Sequence, residues 1–164
     1  MSDILTLIKS LDGICDSIDK TPAGLAQSTN LTLKEALRTD LAAFAMYISA
    51  SDGKVTATEA AFVSYLLGTR FTTADLADII RKANIYSTSF EQTAPPSLRS
   101  FVLVDSAMIR AGKRPQTLGC EILLKLFGLV GAECAKVDNG VADQEQKDFS
   151  IYMNMLQSYI RNNL

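Results

Sequence analysis

Apolar residues along the chain recur at steps of three and four, and no sustained alternation of apolar with polar positions competes with them, so the pattern predicts helices throughout. Leu5, Ile8, Leu11 and Cys15 or Ile18 mark a first amphipathic helix, which Thr21-Pro22-Ala23-Gly24 should end. Thr32-Leu33-Lys34-Glu35 has the form of a capping box, in which hydroxyl and carboxylate satisfy free amides of the first turn. It predicts a second helix from about Leu33 to Ser51, with Leu33, Leu37, Leu41, Phe44 and Ile48 inward. After the turn Asp52-Gly53-Lys54-Val55, a second box, Thr56-Ala57-Thr58-Glu59, opens a third helix through about Gly68, and Thr72 to Asn84 forms a fourth. Tyr86 to Pro96 lacks apolar periodicity and carries a Pro-Pro pair, the composition of a connector. Pro96 suits the first turn of a helix ending near Ala111, before Gly112-Lys113-Arg114-Pro115. Two long helices complete the chain. One runs from about Thr117 to Lys136, apolar on nearly every side and therefore central. The other runs from about Ala142 to Asn162, with Phe149, Tyr152, Met153, Leu156 and Ile160 inward. The expected fold is all-α, a compact bundle of about seven helices.

Residues 86 apart tell more. Asp52-Gly53-Lys54-Val55-Thr56-Ala57-Thr58-Glu59 aligns without a gap on Asp138-Asn139-Gly140-Val141-Ala142-Asp143-Gln144-Glu145, and both copies read D-x-x-V-x-x-x-E. Apolar phase persists on either side. Leu37, Leu41, Phe44 and Ile48 map onto Leu123, Phe127, Val130 and Cys134, and Val63, Leu66 and Leu67 map onto Phe149, Tyr152 and Met153. The chain therefore reads as one domain over residues 1–164, made of two repeated helix–turn–helix units at about 33–84 and 117–162 with a connector at 85–96.

Helix-end chemistry accounts for each residue type in the repeat. The Asp accepts turn amides, the Gly or Asn tolerates left-handed backbone, the Val plugs the corner into the core, and the Glu lies in the first turn of the next helix, where the helix dipole favours it. One reading is a corner fastened by caps alone. The other is that Asp52, Glu59, Asp138 and Glu145 converge about a pseudo-twofold axis into an oxygen-rich cluster. Such a cluster repels itself unless a proton or a hard cation such as Ca²⁺, Mg²⁺ or Mn²⁺ compensates. An EF-hand does not fit, because its Glu follows the first Asp by eleven residues and here the interval is seven.

The run from Phe44 through Ser51-Asp52-Gly53-Lys54-Val55 to Glu59 resembles the signature of the TerB-like tellurite-resistance family. Its superfamily includes the N-terminal domain of the DjlA membrane-anchored co-chaperones. The resemblance covers about Leu33 to Leu67 and Leu123 to Leu156. It implies an all-helical fold of two repeated units with acidic residues at both corners, and a role in metal sensing or stress-response complexes rather than catalysis. The family's acidic positions fall on Asp52 and Glu59, and in the second copy on Asp138 and Glu145, where Asn139-Gly140 stands in place of Asp-Gly.

Composition narrows the chemistry. The 164 residues include no histidine, which removes Ser-His-Asp and Cys-His machinery and imidazole metal ligands. Sixteen basic against eighteen acidic side chains lack the excess that nucleic-acid binding needs. Three cysteines, Cys15, Cys120 and Cys134, form no C-x-x-C and suit a reducing compartment as small core residues. With no signal-like or membrane-spanning run, the expectation is a cytoplasmic protein without direct membrane insertion. Asp12, Asp16 and Asp19 share one helix face, as a docking strip or a solvated surface. Arg110, Lys113 and Arg114 form a small basic cluster of helix-capping type, and Met46, Met108, Met153 and Met155 read as core filler. Nothing nominates an enzyme. Two function classes remain: a TerB-like binding module that takes a divalent cation at its acidic corners in a stress response, or a metal-independent interaction domain, such as an adaptor, chaperone or immunity protein, whose partner is another protein.

Overall fold

Free amides at a helix start must find acceptors, and in this chain the acceptors come both from the helix itself and from its neighbours. The computed structural model describes residues 2–20, 31–49, 51, 54–83, 92–136 and 143–164. Its helices among these are α1 (Ser2–Asp19), α2 (Leu33–Ser49), α3 (Ala57–Leu67), α4 (Thr73–Ala83), α5 (Pro96–Arg110), α6 (Gly119–Lys136) and α7 (Asp143–Asn163), with no strand among the described residues. Local boxes start three of them. Thr32 and Glu35 cap α2, Thr56 and Glu59 cap α3, and Thr72 and Asp75 cap α4. Pro96 opens α5 as the sequence predicts. Gly68 and Gly112, at φ 69° and 73°, take the left-handed backbone that ends α3 and α5.

Carboxylates from neighbouring helices supply further caps. Asp19, the last residue of α1, accepts from the Leu33 amide at 3.0 Å. Asp105 of α5 accepts from the Gly119 and Cys120 amides at 3.2 and 2.8 Å, and Asp40 of α2 accepts from the Ser97 amide of α5 at 2.8 Å.

The repeat is visible in these ends. α2 and α6 begin 86 residues apart, at Leu33 and Gly119, and so do α3 and α7, at Ala57 and Asp143. The caps repeat at the same offset. Asp19 stands to Leu33 as Asp105 stands to Gly119, and the Thr32 amide donates to Glu35 as the Leu118 amide donates to Glu121. Duplication thus extends back into α1 and α5, beyond the halves that the sequence alone delimits. The packing follows suit: α2 and α6 form the central pair, α1 and α5 each touch both, α3 packs on α2 and α7 on α6. The copies part at Gly68, whose counterpart Asn154 lies inside α7, so the first copy turns into α4 while the second continues as one rod.

Aromatic rings fill the centre. Phe44 stacks on Tyr152 at 4.8 Å between centroids and meets Phe127 edge-on at 5.2 Å, while Tyr47 lies 5.9 Å from Tyr152. Bulk is traded between copies: Phe127, Phe149 and Tyr152 stand where the first copy has Leu41, Val63 and Leu66. The trade needs space, and Gly131, counterpart of Ala45, provides it, because a Cβ there would overlap the Cδ2–Cε2 edge of the Phe149 ring and lie 3.2 Å from Phe44 Cζ.

α2 ends at Ser49, close to the expected Ser51, whose amide and hydroxyl both turn back to the Ile48 carbonyl. Two expectations change. Met108 is exposed rather than core. The acidic face of α1 is neither a free strip nor fully solvated: Asp12 binds Arg38 at 3.0 Å, Lys34 bridges Asp12 and Asp16, and Asp19 caps α2. Residues 85–91 of the connector 85–96 lie outside the described residues, as does Thr21-Pro22-Ala23-Gly24. No helix of the described residues is long and apolar enough to cross a membrane.

Asp105→Ala removes the acceptor of two buried amides and is expected to cost about 2 kcal/mol in urea unfolding, against about 1 kcal/mol for the less buried Asp19→Ala. Gly131→Ala should cost about 1–3 kcal/mol by overpacking against Phe149, and adding Phe149→Leu should recover part of that loss.

Candidate functional site at the acidic corners

Of the four corner acids that the sequence singles out, Glu59 and Glu145 lie among the described residues, and Asp52 and Asp138 lie outside them. Glu59 and Glu145 are each the third residue of their helix, in α3 and α7. The Thr56 amide donates to Glu59 Oε2 at 2.7 Å, and the Glu59 amide donates to Thr56 Oγ1 at 3.3 Å, closing the predicted capping box. Val55 packs against the core beneath this corner.

Burial sets the two glutamates apart. Glu35, Asp75 and Glu121 hold the same third position in α2, α4 and α6, make the same backward hydrogen bond, and are exposed. Those bonds hold the carboxyls of Glu35 and Asp75 below the usual range. Glu59 and Glu145 are each only 1% exposed. Capping does not require that, since three of the capping acids do their work in water. Taking a carboxylate out of water costs free energy unless its surroundings compensate.

Both glutamates bear on one thiol. Cys134 of α6 is buried at the α2–α6 crossing, with Sγ 4.0 Å from the Ala45 carbonyl. Burial pushes its thiol up to about 12. The nearby Ser49 hydroxyl pulls the other way, and the charges of Glu59 and Glu145 add to the rise. Ser49, Glu59 and Glu145 thus each act on Cys134. Sequence reasoning assigned Cys134 to the core as the counterpart of Ile48, which is correct, and did not connect it or Ser49 with the glutamates. Their signal was positional: both stand in the last turns before a corner.

Among the described residues no group of three or more Cys, Asp or Glu is arranged to hold a metal ion. A pair of glutamates can supply two to four oxygens, and a hard cation asks for six or more, or six with water among them. Asp52 and Asp138 are the residues that the repeat places nearest in sequence to complete such a set.

The other two thiols are also pushed up to about 12, Cys15 by burial and the charges of Asp19, Asp12 and Asp16, and Cys120 by burial and Asp105. At pH 8 the thiolate fraction of all three is therefore well below that of free cysteine. Native protein should resist iodoacetamide, with alkylation appearing only at the urea concentration that unfolds it; rapid modification of Cys134 in the native state would show the corner to be open. Comparison of the chain with protein-family models, with curated proteins and with solved structures found no match in any of the three.

Proposed function

We propose that this chain is a non-enzymatic binding module of TerB-like type, in which the paired corners take up a divalent cation, with Asp52, Glu59, Asp138 and Glu145 as its oxygen donors. The observation that carries the reading is the burial of Glu59 and Glu145 at equivalent helix positions near one thiol, while Glu35, Asp75 and Glu121, at the same position of other helices, stay in water. A cation between the corners would offset the repulsion of the two carboxylates and tie the copies together across the axis. The oxygen-only donor set favours Ca²⁺, Mg²⁺ or Mn²⁺, and the raised Cys134 thiol is a poor ligand for softer metals. In that reading cation occupancy reports on the ionic state of the cell, and the protein acts by binding rather than by catalysis, in a cytoplasmic stress response.

The test is thermal unfolding in EDTA and then with Ca²⁺, Mg²⁺, Mn²⁺ or Zn²⁺ added. A cation at about 100 times its Kd should contribute about 2.7 kcal/mol, a rise of several degrees in Tm. Asp52→Asn with Asp138→Asn should abolish the rise. A wild-type Tm indifferent to all four ions removes the cation reading, and a rise that survives both substitutions moves the site elsewhere.

A further inference from the structure

A cleft of about 470 Å³ runs along α5, walled on one side by the start of α2 and on the other by the last turns of α7. Its floor is one face of α5, along which Pro96, Arg99, Leu103, Ala107 and Arg110 follow at steps of three and four. Leu31 and Tyr159 stand on the opposite walls. Leu103, at the middle of the stripe, is 63% exposed, and Leu31 at the wall is 42% exposed.

The two arginines define the ends. They are eleven residues apart on one face, which is about three turns or 16 Å along the helix. Neither is in an ion pair among the described residues. Arg99 acts at a distance on the half-buried Asp40, and beyond Arg110 the exposed Lys113 and Arg114 extend the positive end. This basic surface stands out on a chain whose net charge is −2.

Shape and charge together select the occupant. A small amphiphile has the right volume for the cleft but would leave an open trough with Leu103 half in water. A helix laid along α5 covers Leu103 and Leu31 with its apolar stripe and keeps its own polar face in solvent. We propose that this groove docks an acidic amphipathic helix of a partner protein, with apolar residues at i, i+3 or i+4 and i+7 set against Leu31, Leu103 and Tyr159, and carboxylates about three turns apart reaching Arg99 and Arg110. Its residues are separate from the acidic corners, so it stands or falls independently of the cation reading.

The experiment uses a display library of helical peptides about four turns long, selected on the whole chain and counter-selected on Leu103→Glu. Leu103 is a surface position, so this variant should keep the wild-type circular dichroism and Tm. The expected outcome is enrichment of peptides with one apolar stripe and acids about eleven residues apart. In fluorescence anisotropy these should bind Arg110→Glu, and the double variant Arg99→Glu with Arg110→Glu, roughly tenfold or more weakly than wild type. Exchanging the peptide's acids for lysine should restore binding to the double variant. Absence of enrichment, enrichment without acidic preference, or binding indifferent to Leu103→Glu and Arg110→Glu overturns the proposal. So does decanoate that binds the cleft where no peptide does. A wild-type dimer in ultracentrifugation that Leu103→Glu dissociates would also overturn it, assigning the face to a second copy of the chain.

Discussion

The arrangement of the bundle depends on carboxylates that leave one helix to cap another. A helix start packed inside a bundle has amide donors that water cannot reach, and each must meet an acceptor at hydrogen-bond distance. Asp19, Asp105 and Asp40 meet that demand for α2, α6 and α5. A carboxylate at the end of α1 that must touch the first amide of α2 restricts the angle at which the two rods meet. Asp105 imposes the same restriction on α5 and α6. Asp40 then holds the start of α5 against α2, so the second copy is docked on the first by a bond of the kind that shapes each copy internally.

On this shared frame the copies have diverged by exchanging volume. Interior packing tolerates substitutions that conserve total volume and penalises those that do not. The rings of Phe127, Phe149 and Tyr152 in the second copy replace aliphatic residues of the first, and Phe44 of the first copy replaces the smaller Val130. Gly131 yields the space that one of those rings occupies. What has not diverged is the set of acids that serve helix starts, from within or from the preceding helix: Asp19 with Asp105, Glu35 with Glu121, and Glu59 with Glu145.

The helices were legible because their signals are local. Capping boxes, a proline at a first turn and glycines just past a last turn each act within a few residues, so α2 through α5 begin and end close to where their residues say. The long-range caps were not legible one at a time, since nothing around Asp19 announces that its carboxylate serves an amide fourteen residues on. The offset of the repeat held that information, because it pairs Asp19 with Asp105 at identical distance from the next helix start. The corner glutamates were legible as a pair, and their burial was not: Glu35 has the same box as Glu59 and lies in water, so the difference comes from what packs above each corner. Met108 and the aspartates of α1 failed for a related reason, as residue type alone does not say which neighbour a helix face will meet.

The left-handed turn at Gly68 has a consequence for the molecule as a whole. In the first copy the second rod ends there and the chain folds away into α4, whereas in the second copy the rod runs on through Asn154 to Asn163. Tyr159 and Asn163, which rise beside α5 as one bank of the cleft, belong to that added length and have no equivalent in α3. A duplicated scaffold would ordinarily offer two matching faces and hence two equal seats. Here a single glycine breaks the equivalence, so a seat that needs this bank has a stoichiometry of one per chain, and the molecule gains a front and a back.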